Sequence, residues 1–289
     1  MGRLLIIADQ NKKCSATPRG LKLAARLGLS ATVAGFAYAP LKSLGISAAE
    51  QKLVRERILR EREQDIRERG ARCAQDDQTV DYKAVWEKDI AQWVTRQCAG
   101  DKYLWVVKTS RPSGSIIHTS TDWQLLRECP APVLLVAADK WDRTRPVLVA
   151  LDLSTDIPTK RKLNHKTLSI GQALAGALEV ELKIITAIDI PTLLTDLDLV
   201  DPIAYTKDAE EKMQPQIRRL AGEFGIPEKD FSVKRGPVEK VINSRAARVR
   251  AQIVVMGTVG RKGVKARLLG NTAEKVLELL KTDVLAVKP

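Results

Sequence analysis

Apolar positions along this chain fall into short continuous runs, and the stretches between them carry helical spacing. LLIIAD at Leu4–Asp9 and VLVALD at Val147–Asp152 are β-like runs that each end in Asp. YLWVVKT at Tyr103–Thr109 is matched by QIVVMGT at Gln252–Thr258, and PVLLVA at Pro132–Ala137 by DVLAVK at Asp283–Lys288. Asp9 and Asp152 stand 143 residues apart, whereas Val133 and Val284 stand 151 apart. A repeat this long is a duplicated domain rather than a solenoid unit. The second half predicts strands over 147–152, 180–188, 231–235, 252–256 and 284–288, with helices over 160–177, 204–224, 237–249 and 270–281. The first half predicts strands near 4–8, 32–37, 79–86, 103–108 and 133–137, with a long charged helix near 47–75. Strands alternating with helices imply parallel sheets covered on both faces. The expected organisation is two α/β domains, 1–140 and 141–289, joined by a linker over 138–145.

Composition narrows the class. The 289 residues are 44% hydrophobic, which is ample material for packed cores. The longest apolar stretch, Ala31 to Leu41, contains Gly and Pro and is too short to span a bilayer. The opening MGRLLIIADQNKK lacks the pattern of a signal peptide. Cys14, Cys73, Cys98 and Cys129 are widely spaced with no CxxC pair, and the chain has two histidines. Neither a zinc site nor a disulfide framework is expected, and the expected compartment is the cytoplasm. The formal charge of +13 invites a nucleic-acid reading. Against it, signs alternate from Gln51 to Arg72, as on a solvated helix face, and only 4% of residues are aromatic. Within that helix Val54, Ile58 and Ile66 form a narrow apolar stripe suited to packing.

Candidate chemistry lies in GTVGRKGVKARLLGNTAEKV, Gly257–Val276. Gly257 and Gly260 follow a strand, nine residues separate Gly260 from Gly270, and a helix opens there. Such a loop lets backbone N–H groups crowd around an anion, and the helix N-terminus adds its dipole. Asn271 or Thr272 would cap that helix or meet the anion; a capped helix with a basic loop fits the spacing equally well. Asp152, at the carboxyl end of the first strand, would accept hydrogen bonds from a ribose hydroxyl or an amine, or would cap the turn DLSTD. There is no P-loop, no GxGxxG fingerprint after the first strand of either half, and no kinase, hydrolase or thioredoxin signature. No paired carboxylates or partnered general base stand around Gly257, so no catalytic machinery is expected.

VVMGTVGRKGVKARLLGNTAEKVLELLKTDVLAVKP resembles the C-terminal signature of the universal stress protein family, G-x2-G-x9-G, here Gly257, Gly260 and Gly270. VLVALDLS and RGPVEKVI resemble its first strand and third-strand turn, and TDWQLLRECPAPV fits the E-type tandem subgroup. The resemblance implies two such domains in tandem, each a five-stranded parallel sheet of order 3-2-1-4-5 with helices on both faces. It implies a cytoplasmic stress-response binding protein with an ATP cleft, and Mg2+, in the second half. Asp152 and Ala187 would flank base and ribose, Met256 would pack beside them, Gly257 and Gly260 would wrap the phosphates, and Gly270, Asn271 and Thr272 would meet them at the helix end. Asn271 departs from the family's hydroxyl residue. A non-nucleotide ligand, lipid-like or an anionic metabolite, and a pure protein-interaction scaffold are the alternatives. Expected partners are therefore a small molecule and unidentified proteins, without membrane insertion. The two domains would pair within the chain, and further homo-oligomerisation stays open. The first half lacks glycines matching Gly257 and Gly260: Lys108 or Thr109 stands near the former and Thr119 near Gly270, so that domain is expected to be degenerate. There Asp122, in a first helical turn, would repel an anion.

Overall fold

The continuous runs become the strands of two parallel sheets. A computed structural model describes residues 2–10, 14–100, 102–110, 120–137, 145–190, 193, 197, 199–258 and 270–289. The chain divides into two units, residues 1–139 and 140–289. The first contains β1 (Arg3–Ala8), α1 (Ala16–Arg26), β2 (Ser30–Ala37), α2 (Ala48–Ala71), β3 (Val80–Trp86), α3 (Ile90–Cys98), β4 (Trp105–Thr109), α4 (Ser120–Glu128) and β5 (Val133–Val136). The second contains β6 (Val147–Ala150), α5 (Pro158–Leu178), β7 (Leu182–Ile188), α6 (Pro202–Phe224), β8 (Phe231–Arg235), α7 (Val238–Arg248), β9 (Ile253–Gly257), α8 (Asn271–Leu279) and β10 (Asp283–Val287). Strands pair in parallel as β3-β2-β1-β4-β5 in the first unit and β8-β7-β6-β9-β10 in the second. Each sheet thus has the order 3-2-1-4-5 expected from the sequence.

Central strands are buried on both faces, which is why they read as unbroken apolar runs: Leu4, Leu5 and Ile6 of β1, and Val147, Leu148 and Val149 of β6, are fully buried. Right-handed crossovers put the helices after the first two strands on one face and the later two on the other. In accordance, α1 packs with α2, α3 with α4, and α7 with α8. Helix ends follow local chemistry. Ser47 and Glu50 form a capping box at the start of α2, and Asp201 accepts from the N–H groups of Ile203 and Ala204 ahead of α6. Gly225, at φ 63°, closes α6 in the left-handed conformation. No described helix is long and apolar enough to cross a membrane.

The two halves repeat one close approach. A Cβ on Gly20 would lie 2.7 Å from Ile6, and one on Gly171 would lie 2.2 Å from Val149, so in each unit the first helix rests directly on the first strand. Gly171→Ala is therefore expected to destabilise the protein by about 1–3 kcal/mol, despite alanine's better helix propensity, because Val149 is fully buried and cannot yield. A urea midpoint unchanged from wild type would refute this close packing.

The stripe expected on α2 is corrected. The side of α2 facing the sheet consists of Arg62, Ile66 and Gly70, whereas Val54 is 36% exposed. The amino-terminal half of α2 is mostly exposed, so its apolar residues are not part of the core.

Candidate functional site

The carboxyl ends of β6, β7 and β9 converge at the switch point of the second sheet, where the chain leaves the first strand for either side. A cavity of about 450 Å³ opens there. Its floor is Ala150–Asp152, Ala187–Asp189, Met256 and Gly257, and its walls are Leu163 and Asn164 from α5, Tyr205, Ala209 and Met213 from α6, Val238 and Ile242 from α7, and Ala273 and Val276 from α8. This volume lies in the range that holds small-molecule ligands. Of the residues singled out in the sequence, Asp152, Ala187, Met256, Gly257, Gly270 and Thr272 all line this one cavity. Asn271 is the first residue of α8, and Gly260 lies outside the described residues.

Polar groups gather at one end. Ser154 Oγ donates to Asp152 Oδ1 at 2.8 Å, and Lys160 Nζ reaches Asp152 Oδ2 at 3.1 Å. Lys160 is the cation lining the cavity among the described residues. The backbone of Asp152 is held separately: its N–H donates to Asn164 Oδ1 at 3.2 Å, and Asn164 Nδ2 donates to its carbonyl at 2.6 Å. The next residue, Leu153, donates its N–H to the buried Thr186 Oγ1 at 3.4 Å. One amide side chain therefore fixes both hydrogen-bonding groups of the residue that carries the cleft carboxylate.

The glycine segment has a packing role at Gly257, and its expected helix cap is corrected. A Cβ on Gly257 would come within 2.8–2.9 Å of Leu163, so this glycine admits the close packing of α5 at the strand end. Beyond it, Thr258 donates its N–H and its hydroxyl to the carbonyl of Val287, tying the exit of β9 to β10. The N-cap of α8 is Gly270 rather than Asn271 or Thr272, and a glycine brings no capping side chain. Thr272, as the second helical residue, is past the position from which a hydroxyl caps. The amino end of α8 thus meets the cavity rim through Gly270 and Thr272.

Lys160, Leu163 and Asn164 were missed in the sequence, although a signal was present. Asp9 and Asp152 are 143 residues apart but Gly20 and Gly171 are 151 apart. An insertion of eight residues thus lies between the first strand and the glycine of the following helix. It lengthens α5 at its amino end relative to α1, and that extension carries all three residues.

The first unit has the same frame and different side chains. Strand register aligns Ile7 with Lys108 and Ala150 with Met256, so Lys108 stands at the Met256 position and Thr109 at that of Gly257. Helices α4 and α8 have nine residues each, which aligns Asp122 with Ala273. The buried series Arg62, Ile66, Gly70 of α2 corresponds to Met213, Ile217, Ala221 of α6. Lys108 Nζ lies 2.6 Å from Asp122 Oδ1 in an ion pair whose carboxylate is fully buried, and it also donates to the Thr109 carbonyl at 3.0 Å. Asp122 therefore does not act as a repelling surface charge, because Lys108 neutralises it. Arg62 donates to the carbonyls of Ala8 and Asp9 at 2.8 and 3.0 Å and pairs with Asp65. Burial lowers the pKa of its guanidinium below the ordinary value, and Asp65 opposes that shift.

Fold and cleft define the class: a tandem of doubly wound α/β units, with a ligand-sized cavity at the switch point of the second. The universal stress protein family model matches residues 143–288. Universal stress protein E of Salmonella typhi is 29% identical over 295 residues, covering 99% of this chain and 94% of that protein. Universal stress protein E of Photorhabdus laumondii is 31% identical over 217 residues, covering 73% and 69%. Among solved structures, a functionally unknown protein from Pseudomonas aeruginosa PAO1 is similar in fold with a TM-score of 0.72 at 23% identity, covering 99% of this chain and 92% of that one. A universal stress protein from Archaeoglobus fulgidus gives 0.63 at 18% identity, covering 99% and 98%. The chain belongs to the universal stress protein family, in a tandem, two-domain form.

Proposed function

We propose that this protein is a cytoplasmic stress-response binding protein whose second unit holds ATP or a related nucleotide together with Mg2+, with an output through conformation and protein partners rather than covalent chemistry. The observation that carries this reading is the convergence of Asp152, Ala187, Met256, Gly257, Gly270 and Thr272 on one cavity at the switch point. In this arrangement Asp152 and Ala187 flank base and ribose, with Met256 beside them. Gly257 and Gly260 would border the phosphates, and Gly270, Asn271 and Thr272 would offer the amino end of α8. Lys160, which lines the cavity and pairs with Asp152, is the side chain that would supply a positive charge to a bound phosphate.

The test is to purify the chain without added nucleotide, denature it and identify the released small molecules by mass spectrometry. ATP or ADP near one equivalent, lost on Gly270→Val, supports the reading. Much of the lining is apolar, which is why the non-nucleotide ligand is kept as the second reading. Release of a compound without adenine absorbance would favour it.

A further inference from the structure

Three positions line the second unit's cavity with apolar side chains, Met213, Met256 and Ala273, and the same three positions of the first unit carry Arg62, Lys108 and Asp122. We propose that the Lys108–Asp122 pair, with Arg62, is a built-in replacement for a ligand: it closes the first unit's cleft, and the residues at these positions decide which unit admits ligand.

The chemistry of each group matches what a ligand would bring. The Asp122 carboxylate sits in the first turn of α4, where backbone N–H groups and the helix dipole favour an anion, and is fully buried there. Lys108 supplies the countercharge from the strand end at 2.6 Å. Arg62 crosses from the helix layer to the end of β1 and saturates the carbonyls of Ala8 and Asp9. Its route is prepared by Gly35 of β2, where a Cβ would stand 2.7 Å from Arg62 Nε. A buried ion pair of this kind is stable only when both charges are present, so it is an all-or-none filling of the space. The second unit keeps the frame and drops the charges. The chain would therefore bind one ligand, in the second unit, and present the first as a permanently filled half.

The ligand readout of this inference rests on the nucleotide reading of the second unit. Transplanting the pair as M256K/A273D in the full chain and titrating with Mg·ATP should leave no saturation at concentrations about 100-fold above the wild-type Kd. Circular dichroism should show a folded chain. Binding within about twofold of wild type would overturn the proposal. If wild type itself binds no ATP, the nucleotide reading fails, and the present inference is decided by urea unfolding of K108M, D122A and K108M/D122A. The double variant, which restores the apolar character of the second unit, should unfold at a higher midpoint than either single variant. A double variant no more stable than the singles would overturn the inference regardless of any ligand.

Discussion

Replacing Lys108 with methionine is expected to destabilise the protein by about 3–5 kcal/mol, although the new residue is the one found at the equivalent position of the second unit. Lys108 is 7% exposed, and the Asp122 carboxylate 2.6 Å away is fully buried. Removing the cation takes from a fully buried carboxylate the ammonium that lies 2.6 Å from it. Breaking such a pair costs far more than the pair contributes relative to an apolar core, because the loss is dominated by desolvation of the remaining ion. The exposed pair Lys212–Asp208, at 2.7 Å on α6, provides the control: K212M should cost about 0.3–0.5 kcal/mol, as for other solvated i,i+4 pairs. Urea unfolding of both variants measures the contrast. Equal small losses would show that Asp122 is solvated and that the first cleft is open.

Asn164→Leu is expected to cost about 1–3 kcal/mol of stability and to weaken ligand binding about tenfold. Leucine keeps the branched skeleton, with bulkier methyl groups, and loses two bonds, one to the Asp152 N–H and one to its carbonyl. Asn164 is 6% exposed, so its amide is a structural group, while Asp152 itself is open to the cleft and water recovers part of the loss. The second effect falls on function. Asp152 would keep its carboxylate but lose its fixed placement beside Ser154 and Lys160. Denaturant unfolding and ligand titration on the same preparation separate the two effects. A variant as stable as wild type, with unaltered binding, would show that Asn164 does not position Asp152.

How much of this was legible beforehand depends on which physical signal each residue leaves. The strands were visible because parallel strands buried on both faces become continuous apolar runs, and the duplication because those runs recur in order. The α2 stripe was misread because Arg62 is buried by satisfying backbone carbonyls, and a hydrophobicity pattern counts a guanidinium as surface. The Lys108–Asp122 pair escaped for the same reason: each residue alone reads as solvated, and only the meeting of β4 with α4 makes them partners. Asn164 acts on backbone atoms, so its residue type carries no signature, and only the eight-residue lengthening before Gly171 marked its segment. Gly257 lines the cleft, yet the contact that requires a glycine there is Leu163 of α5, a residue of the inserted extension. Gly260 and the side chain of Asn271 lie outside what the structure describes.

The central claim is that one cleft, in the second unit, binds a nucleotide while the first is filled by its own side chains. Equilibrium dialysis of the full chain against labelled ATP, with and without Mg2+, measures this directly as a number of sites. The account predicts saturation at one ATP per chain, strengthened by Mg2+. Two sites per chain would mean that Lys108 and Asp122 do not close the first cleft, and no binding at millimolar ATP would mean that the cavity beside Asp152 is not a nucleotide site.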